Sequence, residues 1–341
     1  MGIKVSVIIP AYNAEKYIKS CIESVIKDEL YEKEIIVIND GSIDRTQEIV
    51  EKFSQKDNRI KLINKENEGS SAARNTGIRN SNGKYILFLD ADDFISKNSL
   101  KRLVDIAEKE IVDAIIFDIA LYKDDGNIRI LKDGVFNEKK FITNKEYLIN
   151  LFLGEGCSSI CNKLWNAKLF KENMIEHAET IEFGEDGATL PQLILNCDRM
   201  VKINTPLYYY RINLNSKMYS GNIKVYEYIK SYNLVINYFE NNKIEWIDKY
   251  RFTYKYNHAY SMLHDTFLIS KKYKRNEEYR LLYNDFLEDL KDENNIYIPF
   301  DSKKGLKNEF LIKAYRKNVY LGEIIKMYQL IIEKLNSIIK I

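Results

Sequence analysis

Residues 4–89 alternate between apolar strand and amphipathic helix, and no other feature constrains the fold as much. Lys4 to Ile9 is a nearly continuous apolar run stopped by Pro10, and Ala14 to Lys27 then sets Tyr17, Ile18, Cys21, Ile22 and Val25 on one helical face. Glu34 to Ile38 is a second strand. Asp44 with Gln47 reads as a capping box that opens a helix running to about Gln55. Ile60 to Ile63 is a third strand, Ser70 to Asn80 a helix, and Tyr85 to Leu89 a fourth strand. Strands buried on both faces read as unbroken apolar runs, so the pattern predicts an α/β chain whose mostly parallel sheet is flanked by helices.

Past Asp93 the pattern gives a helix near Leu100–Lys109, a strand near Ala114–Asp118 and a turn at Asp124-Asp125-Gly126-Asn127. A polar stretch, Asn213 to Asn222, separates this part from a helical, Tyr- and Lys-rich remainder, so domains are expected at 1–222 and 223–341. With 52 Lys and Arg against 50 Asp and Glu, the net charge of +2 gives no general attraction to nucleic acid. Cys21, Cys157, Cys161 and Cys197 fit no zinc or redox spacing and read as reduced structural thiols. No leader precedes the first strand and no run of about 18 apolar residues occurs, so a cytoplasmic protein is expected.

The chemistry is read from the ends of the strands. Leu87-Phe88-Leu89 runs straight into Asp90-Ala91-Asp92-Asp93, three carboxylates at the sheet edge where α/β folds bind ligands. Such acids repel one another unless a cation joins them, and a hard divalent metal carrying a diphosphate is the usual solution. Three other segments fall at the same edge. Pro10-Ala11-Tyr12-Asn13 offers a flat ring to a base, and Asn39-Asp40-Gly41-Ser42 offers a carboxylate that accepts from a base N–H. Gly69-Ser70-Ser71-Ala72-Ala73-Arg74-Asn75 offers a helix N-terminus with a cationic fork. Each alone is a common turn or cap; their convergence points to a metal–nucleotide site.

These four segments, with Val5 to Ile9 before the first and Thr76-Gly77 after the third, closely resemble the family 2 glycosyltransferases. The resemblance is dense over residues 3–97, thinner to about 218 and uninformative beyond. It implies the GT-A, Rossmann-like nucleotide-diphospho-sugar transferase fold and an inverting enzyme. Pro10, Ala11, Tyr12, Asn13, Asp40 and Arg74 would line the nucleotide, Asp90 with Ala91 would approach the ribose, and Asp92 would bind Mn2+ or Mg2+ bridging the diphosphate. Asp93 would be a supporting acid or a helix cap. The family keeps its base in a Glu-Asp pair downstream, and Gly184-Glu185-Asp186-Gly187 fits, with Asp186 the base and Glu185 a structural or acceptor-binding acid; capping of the following helix is the plainer alternative. Asn162-Lys163-Leu164-Trp165 resembles a recurrent family segment, so Lys163 and Trp165 would hold acceptor or diphosphate, with core packing the competing reading of Trp165. Tyr208-Tyr209-Tyr210-Arg211, followed by Ser216, resembles a region that closes over the donor, with Arg211 on the diphosphate. His177, His258 and His264 form no ligand set, so the metal would be held by Asp92, diphosphate and water.

A dinucleotide-binding G-x-G-x-x-G and a P-loop are both absent, and the phosphate loop of a nucleotidyltransferase is missing after the first strand. A non-catalytic sugar-nucleotide-binding subunit would not be expected to keep Asp40, Asp90, Asp92 and Asp186 together. The family's processive synthases carry a Gln/Arg-x-x-Arg-Trp motif and spanning helices, so single addition to a glycan or lipid-linked acceptor in surface-polysaccharide synthesis is expected. At the end of the chain, Leu321, Ile324, Ile325, Tyr328, Ile331, Ile332, Leu335, Ile338 and Ile339 make a strongly amphipathic helix. Membrane-surface contact, a homodimer contact and docking on the domain are its three readings. Lys271-Lys272-Tyr273-Lys274-Arg275 is a basic cluster that would face anionic lipid or solvent.

Overall fold

The computed structural model describes residues 2–123, 126–134, 136, 141–212, 225–261, 277–299 and 303–339. The expectations for residues 124–125, Asn213 to Asn222 with Ser216, His264 and the Lys271–Arg275 cluster lie outside them. The chain divides into two compact units, Met1–Leu148 with Cys157–Ile223, and Ile149–Gly156 with Lys224–Ile341.

The first unit is built on β1 (Val5–Ala11), α1 (Ile18–Ile26), β2 (Lys33–Asp40), α2 (Thr46–Ser54), β3 (Ile60–Lys65), α3 (Ser70–Arg79) and β4 (Tyr85–Phe88). It continues through β5 (Phe94–Ile95), α4 (Ser99–Glu110), β6 (Ala114–Tyr122), β7 (Ile128–Leu131) and β8 (Phe141–Ile142) into α5 (Asn144–Phe152). After the excursion of 149–156 come β9 (Lys163–Asn166), α6 (Lys168–Glu172), α7 (Glu185–Leu195) and β10 (Met200–Arg211). The strand order is β3-β2-β1-β4-β9-β6-β10-β5, with β7 on β6 and β8 on β10. The long ladders, β1 with β2 and β4, β2 with β3 and β6 with β10, are parallel. The others are antiparallel, and β9 is turned against both β4 and β6, so the sheet is mixed with its parallel pairings predominating. Every residue of β2 is buried, as a strand covered on both faces requires.

Two local expectations are corrected. β1 does not stop at Pro10 but runs on to Ala11, paired with Asn39. Its ladder with β4 ends at Ile8, so beyond that point β1 has one neighbour and the missing N–H of Pro10 breaks no bond on the other side. Asp44 accepts from Thr46 N–H at 2.9 Å, but Arg45 holds the N-cap position without a side-chain cap bond and Gln47 reaches forward to Glu51 at 2.8 Å, so no capping box closes. Asp44 instead also accepts from Glu15 N–H at 3.0 Å, which ties the loop after β1 to the loop after β2.

The second unit adds α8 (Val225–Asn241), a 3-10 turn, α9 (Arg251–Lys255), a π turn (Tyr256–Tyr260), α10 (Glu277–Lys291), α11 (Lys303–Lys317) and α12 (Val319–Ile339). Its core is aromatic: Phe152 lies 4.3 Å from Tyr254 and 6.0 Å from Phe239, ring centre to ring centre. No helix of the described residues is long and apolar enough to cross a membrane.

Candidate active site

The end of β4 and the starts of α3 and α7 meet around one guanidinium. Arg74 sits one turn into α3 and is buried. Its Nη2 donates to Asp90 Oδ1 at 2.9 Å, and its Nη1 donates to Glu185 Oε1 at 3.0 Å and Asp186 Oδ1 at 3.4 Å. Burial disfavours its charge, but Asp90, Asp186 and Glu185 outweigh that and hold its pKa well above the ordinary arginine value. Two motifs nearly a hundred residues apart, Asp90-Ala91-Asp92 and Glu185-Asp186, are thus joined at one cation.

The carboxylates differ in environment. Asp186 opens α7, and its Oδ2 accepts from Ile160 N–H at 3.2 Å. Burial pushes its pKa up to about 7; Arg74 pulls it down, and Glu185 and Asp90 push it up again. Burial, then Asp90, pushes Asp92 up to about 6. Asp93 is almost wholly enclosed, accepting from Tyr208 Oη at 2.6 Å and from Arg211 N–H at 2.7 Å, and burial with its two acidic neighbours raises its pKa well above the carboxylate range. Asp93 therefore supports the acid loop from within the fold and does not cap α4. Tyr208 also accepts from Asp90 N–H at 3.2 Å, so one phenol fixes both ends of the loop.

The residues that the family resemblance assigns to the nucleotide lie at the ends of β1, β2 and β4 and in α3. Tyr12 is 52% exposed just beyond β1, while Ala11 and Ala91 are buried and Pro10 is half-buried. Asn13, at φ +49°, accepts from Ile43 N–H at 3.0 Å and donates its own N–H to Ser42 Oγ at 3.0 Å, so it shapes the loop. Asp40 accepts from Lys65 Nζ at 3.0 Å, Glu68 N–H at 3.1 Å and Gly69 N–H at 2.8 Å, anchoring the turn into α3. Ser71 Oγ and Arg74 Nε are buried without a partner among the described residues.

Lys163 and Trp165 are not brought into this group. Lys163 is 0% exposed and donates to Asp133 Oδ2 at 3.0 Å and Ser159 O at 2.8 Å. Trp165 is equally buried and donates to Ile160 O at 3.1 Å. A buried ammonium needs a paired charge, and Asp133 supplies it, so both side chains secure β9 inside the sheet. Tyr208 is a sheet residue paired with Ile95 and Ile119 rather than part of a closing segment. Arg211 lies over the rings of Tyr17, Phe94 and Tyr122 at 4.9–5.5 Å, and its Nε donates to Asp92 O at 3.1 Å. His177 is buried beside Phe88, its pKa held far below the ordinary value by burial and by Arg74. The tyrosine run was the visible signal for Tyr208; nothing local marks Asp133 or His177.

Among the described residues no group of three or more His, Cys, Asp or Glu is arranged to hold a metal by itself. The donor set still suits a hard cation that brings its own oxygen ligands: Asp90 and Asp92 are half-buried oxygen donors, and burial followed by repulsion from Asp90 raises the pKa of Asp92.

A mixed α/β sheet with strand-end acids and a helical extension defines the GT-A class of sugar-nucleotide transferase fold. The chain shares this architecture with the structure of Staphylococcus aureus TarS 1–349 in complex with UDP-GlcNAc, at a TM-score of 0.73 and 21% identity over 96% of this chain and 92% of that one. The glycosyl transferase family 2 model matches residues 6–173. Glycosyltransferase GlyG of Streptococcus pneumoniae is 31% identical over 63% of this chain and 72% of its own length. Glycosyltransferase GlyA of the same organism is 33% identical over 62% of this chain but only 31% of its own length, so the chain spans under a third of that relative. The chain belongs to glycosyltransferase family 2.

Proposed function

We propose that the chain is a metal-dependent, inverting glycosyltransferase that moves one sugar from a uridine-linked nucleotide-diphospho-sugar to a hydroxyl of a glycan or lipid-linked acceptor in surface-polysaccharide synthesis. The observation that carries this reading is the bonding of Arg74 to Asp90 on one side and to Glu185 and Asp186 on the other. Donor-side and acceptor-side acids are thereby held at one distance from each other. Family membership and the fold shared with a structure in complex with UDP-GlcNAc support the donor class.

In this reading Tyr12 stacks on the base and Asp40 accepts from it, while Ser71 Oγ and Arg74 Nε, buried without partners among the described residues, turn to the diphosphate. Asp92 would hold the metal, which when bound neutralises the leaving diphosphate. Asp186 takes the proton of the acceptor hydroxyl as its oxygen bonds to the anomeric carbon and the bond from that carbon to the diphosphate breaks on the opposite face. A pKa near 7 suits that task, because the group is then ionised at neutral pH yet basic enough to receive a proton.

Calorimetric titration of uridine nucleotides and nucleotide-sugars, with and without Mn2+, tests the reading. Metal-dependent binding is expected, and Asp92→Ala should weaken it about tenfold or more. Binding that ignores both metal and Asp92 would overturn the metal assignment; no binding of any nucleotide would overturn the donor class.

A further inference from the structure

The last two helices leave an unusual surface in the second unit. In α12 Gly322 is buried, and Val319, Glu323, Ile325, Lys326, Gln329 and Leu330 are half-buried. Gly322 faces the Tyr315 ring, where a Cβ would collide, and Glu323 accepts from Tyr283 Oη at 2.7 Å. The opposite face carries Tyr320, Leu321, Ile324, Met327, Tyr328 and Ile332, spaced three and four apart, and all six are exposed. Tyr320 is 76%, Ile324 64% and Tyr328 65% accessible. Packing within the second unit therefore does not cover this face. An amphipathic helix that turns its apolar side outward is a docking surface.

We propose that this face lies on an anionic lipid surface. Charge complementarity selects that occupant. Lys304, Lys307, Lys313, Arg316 and Lys317 of the adjoining α11 are all exposed. Neither acid in residues 304–332 is exposed: Glu309 pairs with Lys313 at 2.7 Å, and Glu323 is turned to Tyr283. Leu306 and Phe310 add exposed apolar area on the same face of α11 as Lys313 and Lys317. Apolar residues with tyrosines among them and lysines close by match the headgroup boundary of a bilayer, where rings and ammonium groups both find partners. No helix of the described residues can span, so the helix lies in the surface plane. This inference is independent of the reaction proposed above, since it uses none of the site residues.

The test is sedimentation of the full chain with vesicles of phosphatidylglycerol or of phosphatidylcholine. Binding to the anionic vesicles is expected, lost on going from ~0.1 M to ~1 M salt as screening shortens. The double variant Ile324→Glu with Tyr328→Glu should bind about tenfold or more weakly, with unchanged circular dichroism because both sites are exposed. Lys313→Gln with Lys317→Gln should weaken binding without touching the apolar face. Equal binding to both vesicle types, no binding to either, or full binding by the apolar-face variant would overturn the proposal. So would a vesicle-free dimer, seen by light scattering and dispersed by that variant, because a second copy would then cover the face.

Discussion

A single guanidinium serves three carboxylates in this fold, and that sets what substitutions do at the level of residues. Asp186→Asn keeps size and the Ile160 N–H bond but cannot take a proton. Transfer should fall by about 10²–10⁴-fold while donor binding, read by calorimetry, is retained; an active variant would remove Asp186 from the role of base. The pH profile follows from the same group. Its pKa is raised to about 7, so the ionised base accumulates as pH rises, and kcat/KM should climb through an apparent midpoint near that value. The shift has an opposite effect on stability. Between the ordinary 3.8 and about 7 the folded chain holds a proton that the unfolded chain has lost, so this group's contribution declines as pH rises through that window and is flat above it. Thermal midpoints of the parent chain and Asp186→Asn across that range would show it.

At the scale of elements, α3 is placed by what it lacks. A Cβ on Gly77 would run into Ile8 Cγ2 of β1, with Ile38 Cδ1 of β2 only 3.1 Å away. Gly77→Ala should therefore push α3 off the sheet, cost about 1–3 kcal/mol in chemical denaturation and, by shifting Arg74, weaken donor binding in the same variant. Elements formed by nearby residues were legible in the sequence: β1 to β4, α1 to α3 and the strand-end motifs are all signalled within short windows. Elements whose burial depends on distant partners were not. The family resemblance offers Lys163 and Trp165 as ligand-binding residues, with core packing the other reading of Trp165, and nothing nearby shows that β9 slots between β4 and β6 or that Asp133 awaits the lysine. Asp133 itself stands in Lys132-Asp133-Gly134, which reads as a solvated turn. The pairing of Asp93 with Tyr208 requires β10 to lie beside β5, a contact between residues 115 apart.

At the scale of the whole molecule the compact units part after Ile223, beside the 222/223 boundary that composition suggests, and depart from consecutive blocks only in that residues 149–156 group with the helical part. A fragment ending at residue 223 would strip Phe152 of Phe239, Trp246 and Tyr254. It should aggregate, and Phe152→Ser should restore solubility to the fragment while costing the full chain about 3–5 kcal/mol, read by unfolding of each. The hold of Tyr208 and Arg211 on the acid loop has a consequence for synthesis. The loop leaves the ribosome long before the strand that locks it, since Arg211 follows Asp93 by 118 positions. Until β10 joins the sheet, Asp90 and Asp93 lack the phenol and the backbone N–H that orient them, so a half-made chain displays its acids without being able to use them. For the reaction proposed above, competence would be acquired late in translation, when the sheet closes.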